Sequence, residues 1–169
     1  DKILEIGPEK VCAFIGETIM GGLVGDVPPA PNYWKYVAEV CQKYEVHLIL
    51  DEVWCGTGTS GKIYCVDWDG ITPDFIFMGK TLGAGFAPLS ALVTSSRIEE
   101  KIRNGQGQIQ HSTTHQGHSL CVAAALAVQK IIHDDDFLKD VNEKGEFLRN
   151  TLEDELGNHS FIANVRGRG

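Results

Sequence analysis

The chain has 169 residues, 43% of them apolar and 22% charged, with a formal net charge of −8; that is enough apolar mass to bury a core and too acidic a balance for a phosphate backbone, so no nucleic acid partner is expected. No apolar stretch reaches the roughly eighteen residues needed to span a bilayer, and DKILEIGPEK lacks the basic-then-apolar pattern of a signal peptide, so no membrane is expected either and the location reads as cytoplasmic. The cysteines, Cys12, Cys41, Cys55, Cys65 and Cys121, are odd in number and without CxxC spacing, which argues for reduced thiols over a disulfide framework.

In chain order, both ends read as cut. The sequence opens partway into a helix and stops at VRGRG, just after the strand-like start FIANV (residues 161–165), so a piece of a longer chain is expected. Four apolar, β-branched or aromatic runs bounded by Gly, Pro or charges read as buried strands: VCAFIGE (Val11–Glu17), HLILDEV (His47–Val53), DFIFMGK (Asp74–Lys80) and LSALVTS (Leu89–Ser95). Between the first two lie a Gly/Pro loop, GGLVGDVPPAPN, and the helical spacing of Trp34, Val37, Val40 and Cys41. A strand, helix, strand unit of this kind pairs its strands in parallel. TLGAGFAP, between Lys80 and Leu89, is too short for a crossover and predicts an antiparallel fourth strand. A polar stretch, NGQGQIQHSTTHQGH, then leads to a helix over SLCVAAALAVQKIIH with Ser119 as N-cap, and a charged amphipathic helix follows over residues 135–156. The class is α/β, with a mostly parallel sheet and one antiparallel strand.

In open α/β sheets ligands bind at the carboxyl ends of the parallel strands, where Glu17, Asp51 and Lys80 all fall. Strand alternation would set Asp51 and Val53 on one face and Glu52 and Trp54 on the other. A lysine beside buried apolar surface has its charged form disfavoured and attacks a carbonyl more readily. A carboxylate on the neighbouring strand would hold a protonated ring nitrogen, and the two together are the partnership that pyridoxal 5'-phosphate requires of a protein. The spacing alone leaves a plain Asp51–Lys80 salt bridge open.

Three other features invite chemistry. GTGTSGK (Gly56–Lys62) fits most of a phosphate-loop pattern, but Ile63 stands where a magnesium-ligating hydroxyl is needed and IYCVDWDG does not read as the required helix. His111, His115 and His118 crowd together without an added Cys or carboxylate pattern, so no metal is expected. Cys55 reads as a small buried filler, and the run Asp134–Asp136 as a helix N-terminus.

HLILDEVWCGTGTSGK, PDFIFMGKTLGAGFAPLSALV and HSTTHQGHSLCVAAALAV, in that order, resemble the class III aminotransferases of the fold-type I pyridoxal phosphate family. The resemblance implies most of the second half of a cofactor-binding large domain over residues 1–130, with helices on both faces of its sheet, then an interdomain helix and the start of a small C-terminal domain over 131–169. It implies that Lys80 forms the internal aldimine and moves the proton, and that Asp51 holds the pyridine nitrogen. Val53 would pack on one ring face, and Thr114 would reach the cofactor phosphate of the other subunit of a homodimer. Glu17 falls near the substrate side, and Trp54 stands where many members have glutamine near the cofactor's phenolate oxygen. Thr59 replaces a frequent arginine and Ser119 a usual proline. The implied reaction moves an amino group from an amine or amino acid to a 2-oxo acid or aldehyde. An aminomutase or a decarboxylase of the same fold could share these residues.

Overall fold

The protein is described by a computed structural model covering residues 2–169. One sheet carries four strands in the spatial order of the chain: β1 (Ala13–Glu17), β2 (His47–Asp51), β3 (Phe75–Met78) and β4 (Ala91–Thr94). β1 and β2 run parallel in the register Ala13↔His47 to Glu17↔Asp51, and β2 and β3 run parallel with Asp51 opposite Phe77. β4 turns back antiparallel on β3, as the short connection predicts. Among the described residues, five α-helices accompany the sheet: α1 (Lys2–Ile6), α2 (Tyr33–Lys43), α3 (Ser96–Asn104), α4 (Ser119–Ile132) and α5 (Asp135–Leu156).

α2 follows a proline-rich loop and is amphipathic, with Trp34, Val37, Ala38 and Cys41 on the stripe that meets the sheet. Trp34 is 2% exposed. Its Nε1 donates to the Thr18 carbonyl at 3.0 Å, and Gly16 gives its ring room, since a Cβ there would stand 3.0 Å from Cη2. Leu48 and Leu50 of β2, Ile76 and Met78 of β3, and Val46, Val66 and Leu82 from the adjoining segments complete this core. Each buried aliphatic side chain contributes about 1.5–3 kcal/mol. The opposite face is only half covered, and Ile15 and Leu92 are exposed on it. The continuous apolar runs predict burial on both faces, yet these residues bury one.

At the amino ends of the strands a charge network closes the sheet. Asp74 accepts hydrogen bonds from the Leu48 N–H at 3.1 Å, from His47 Nδ1 at 3.2 Å and from Arg97. Burial pushes its carboxyl up, but these three donors outweigh that and hold it below the ordinary range. Arg97 lies on α3, a helix absent from the sequence reading. Its signals were present in Ile98 and Ile102 four apart, the Glu99–Arg103 pair and the closing Gly105.

Two helix starts differ from one another. The N-cap of α4 is His118, one residue before the expected Ser119, and no side chain caps it. α5 is capped as its acidic run predicts, because Asp134 Oδ1 accepts the N–H groups of Asp136 and Phe137 at 2.9 and 3.1 Å. The expected strand over residues 161–165 is not formed, for it meets no strand edge among the described residues and Phe161 is 90% exposed. No helix among the described residues is long and apolar enough to cross a membrane.

Candidate active site

β2 ends at Asp51, two residues earlier than its apolar run, because Asp51 Oδ1 accepts the Val53 N–H at 3.0 Å and bends the chain into a turn. Strand alternation therefore stops before the positions it was expected to sort. Glu52 goes fully inside at 0% exposure, whereas Trp54 stays 47% exposed. The Glu52 carboxylate is saturated. Oε1 accepts from Thr18 Oγ1 at 2.9 Å and from the Val66 N–H at 2.8 Å, and Oε2 accepts from the Cys65 N–H at 2.7 Å. Burial pushes this carboxyl up, and the donors from Val66, Cys65 and Thr18 recover only part of the cost. Gly56 permits the close fold-back, since a Cβ there would stand 2.8 Å from Glu52 Cβ. Glu52 thus ties together the residues that follow β1 and β2 and the tight turn Cys65–Trp68. Sequence reasoning gave it no role, and an acid followed four residues later by glycine was the only local signal.

β3 gives way at Gly79 to a tight turn, Lys80–Leu82, whose first residue sits in the left-handed region with φ 44°. That conformation costs a side-chain-bearing residue about 1–2 kcal/mol. The turn is held nonetheless. Leu82 is buried, its N–H donates to the Gly79 carbonyl at 2.8 Å, and its carbonyl accepts from Gln129 Nε2 of α4 at 3.0 Å. Strain that surrounding contacts keep in place is a common mark of functional positions.

The turn brings Lys80 Nζ over the indole of Trp54, 5.3 Å from the ring centroid. Both line a cavity of about 430 Å³ with Ile19, Cys55, Asp26 and Arg166. Lys80 is exposed, so the burial expected of it does not come from these residues. It makes no ion pair among the described residues, and the plain Asp51–Lys80 salt bridge is not formed. Val53 packs against bare backbone, since a Cβ on Gly79 would stand 3.2 Å from its Cγ1. Glu17, opposite Asp51 in register, spends Oε2 on the Gly21 N–H at 3.0 Å. Of the expected site residues only Lys80 and Trp54 line this cavity; Asp51, Val53, Glu17 and Thr114 do not. Thr114 lies on the exposed loop before α4.

The competing motifs resolve on backbone and side-chain chemistry. Within Gly56–Lys62, the N–H groups of Thr57, Gly58, Thr59 and Gly61 donate to carbonyls of the same loop and its neighbour Ile63, so they are unable to cradle a phosphate. A short 3-10 turn follows, not a helix. His111, His115 and His118 are exposed, and no His, Cys, Asp and Glu group able to hold a metal occurs among the described residues. Cys55 is buried, as a filler would be, and has a partner. A hydrogen bond from the Cys65 thiol pulls Cys55 down from the ordinary thiol range, while that bond and burial push Cys65 up.

Residues 1–169 match the family model described as aminotransferase class-III. An aminotransferase of Gibberella zeae is 41% identical over 168 residues, covering 99% of this chain and 33% of that protein. A diaminobutyrate–2-oxoglutarate transaminase of Halomonas elongata is 37% identical over 172 residues, covering 100% of this chain and 36% of that protein. The chain spans about a third of the length of the curated relatives it matches. Among solved structures, an amine transaminase from an uncultivated Pseudomonas species, in its PLP-bound (internal aldimine) form, superposes with a TM-score of 0.91 at 34% identity. That match covers 99% of this chain and 38% of that one. The chain therefore belongs to the class III aminotransferases, a pyridoxal-phosphate-dependent family.

Proposed function

We propose that this chain supplies the cofactor-anchoring lysine and the ring-nitrogen carboxylate of a transaminase that moves an amino group from an amine or amino acid to a 2-oxo acid or aldehyde. One observation carries the reading: Asp51 ends β2, and Lys80 follows the end of β3, on adjacent parallel strands at the carboxyl edge of the sheet. The residues fit pyridoxal 5'-phosphate. Lys80 lines a cavity that Asp51 and Val53 do not reach; Asp51, at the adjacent strand end, has only Oδ1 engaged among the described residues, by the Val53 N–H, and the absent Cβ of Gly79 leaves the Val53 methyls a flat neighbour.

When bound, the cofactor supplies a pyridinium that accepts the electrons left by the substrate carbon. Lys80 Nζ would be the covalent anchor and, once freed by the incoming amine, would carry the proton from that carbon to the cofactor carbon that takes up the amino group. The second oxygen of Asp51 holds the ring nitrogen protonated, which keeps the electron acceptor effective. Val53 covers one ring face and Trp54 walls the substrate side. Glu17, through Gly21, fixes the loop that borders that side. Thr114, on its exposed loop, serves the cofactor phosphate of a second subunit in a homodimer. Residues 131–169 lead from the large domain into the small one.

The test is borohydride trapping of the cofactor in the complete protein carrying this segment, followed by peptide mapping. Label on Lys80 is expected, and label on Lys62 instead overturns the assignment. Sedimentation of the same protein is expected to give a dimer that loses cofactor more readily as Thr114→Ala. A fully active monomer overturns the cross-subunit role.

A further inference from the structure

We infer that Trp54 is a positioning residue for Lys80 and that the loop Gly21–Asp26 clamps its indole, so that this loop sets the direction in which the lysine amine is presented. The inference rests on the role proposed for Lys80, and it adds Gly21 and Asp26, which no family motif above includes. A lysine side chain has four rotatable bonds, and an exposed one has no packing to choose among its rotamers. Here the ring face under Nζ makes that choice.

The indole is itself held on two sides. Its Nε1 donates to Asp26 Oδ1 at 2.5 Å, which leaves the face, not the edge, for the lysine. Against its pyrrole edge lies Gly21, where a Cβ would stand 2.6 Å from Cδ1 and 2.7 Å from Cγ, closer than real side chains approach. Any residue other than glycine there must push the ring aside.

The loop is in turn tied down by polar contacts, not by a core of its own, as the 91% exposure of Leu23 shows. Met20 and Val27 pair across its base at 2.9 and 3.2 Å, and Glu17 accepts the Gly21 N–H. Arg166, from the far end of the chain, donates to the Val24 and Gly25 carbonyls at 2.9 and 3.0 Å. The end of β1, the turn after β2 and the C-terminal segment therefore converge on one indole.

The experiment uses the complete protein loaded with pyridoxal 5'-phosphate. The rate of cofactor capture is read by absorbance, its attachment site by borohydride mapping, and its orientation by visible circular dichroism per bound cofactor. Trp54→Ala and Gly21→Ala are each expected to slow capture about three- to fivefold, the effect of removing an exposed cation–π contact. Both should shrink the visible dichroism, and the double variant should be little worse than either alone, because both act through the ring. Trp54→Phe, which keeps a smaller face but loses the bond to Asp26, should recover only part of the signal, and full recovery overturns the part given to Asp26. Additive losses, or visible dichroism equal to wild type in Trp54→Ala with Lys80 still labelled, overturn the clamp alone. Absence of label on Lys80 in the wild type overturns the proposed role of Lys80 and the clamp with it.

Discussion

The two ends of the sheet use their carboxylates in opposite ways. At the amino ends, Asp74 is gripped by a backbone N–H, a histidine and an arginine, and its charge is stabilised where it stands. At the carboxyl ends, Glu52 is gripped as fully yet sits so deep that burial still disfavours its charge, while its neighbour Asp51 keeps one oxygen uncommitted. Lys80 beside them has a strained backbone and no ion pair among the described residues. A saturated charge at a sheet end is a structural tie. An unsaturated one, held by strain and by saturated neighbours, is available for a ligand. That end of the sheet gives up local stability in exchange for geometry.

The sharpest way to break the contrast is Glu52→Ala. It leaves the Thr18 hydroxyl and the Cys65 and Val66 N–H groups without their acceptor in a closed core, and should cost about 3–5 kcal/mol in urea unfolding. A loss below about 1 kcal/mol would mean that the carboxylate does not tie the site end together. Asp51→Asn is next. It keeps Oδ1 for the Val53 N–H but gives up the anion, so turnover at saturating cofactor should fall about ten- to hundredfold with little change in folding. Deamination of the donor at the wild-type rate would make Asp51 a turn residue and nothing more.

At the amino end, Asp74→Asn should cost about 1–2 kcal/mol at neutral pH, since its arginine and histidine partners are partly exposed, and should leave turnover intact. The two ends should also differ in the sign of their pH dependence. A carboxyl held below its unfolded value contributes stability that is present above about pH 3.9 and lost as pH falls through the folded value. Acidification should therefore narrow the gap between wild type and Asp74→Asn. A carboxyl raised by burial binds its proton more readily when folded, so acidification through the upper carboxylate range should favour wild type over Glu52→Gln. Parallel pH slopes at the two positions would contradict the contrast.

The smallest effect tests the strain directly. Of two variants that both lose the lysine, Lys80→Gly should be more stable than Lys80→Ala by about 1 kcal/mol, because glycine accepts φ 44° without penalty. Thermal melts that rank them the other way would show a relaxed backbone at this position.

By itself the sequence determined the four strands of the sheet, their directions and the charged residues at their tips, and the one strand it wrongly added is that over residues 161–165. Apolar β-branched runs, an intervening helical stripe and a connection too short to cross over are local properties, and they bind the topology before any contact is made. The same residues, with three ordered motifs, carried the family. Only tertiary structure decided which of two adjacent acids goes inside, because that depends on N–H donors at Cys65 and Val66 arriving from a later turn. The same holds for Trp54, whose place under Lys80 is set by Gly21 and Asp26 some thirty residues earlier, and for Arg97, whose helix gains its purpose from Asp74. Periodicity records which way a side chain leaves its own backbone; what it meets is decided by segments far away in the chain.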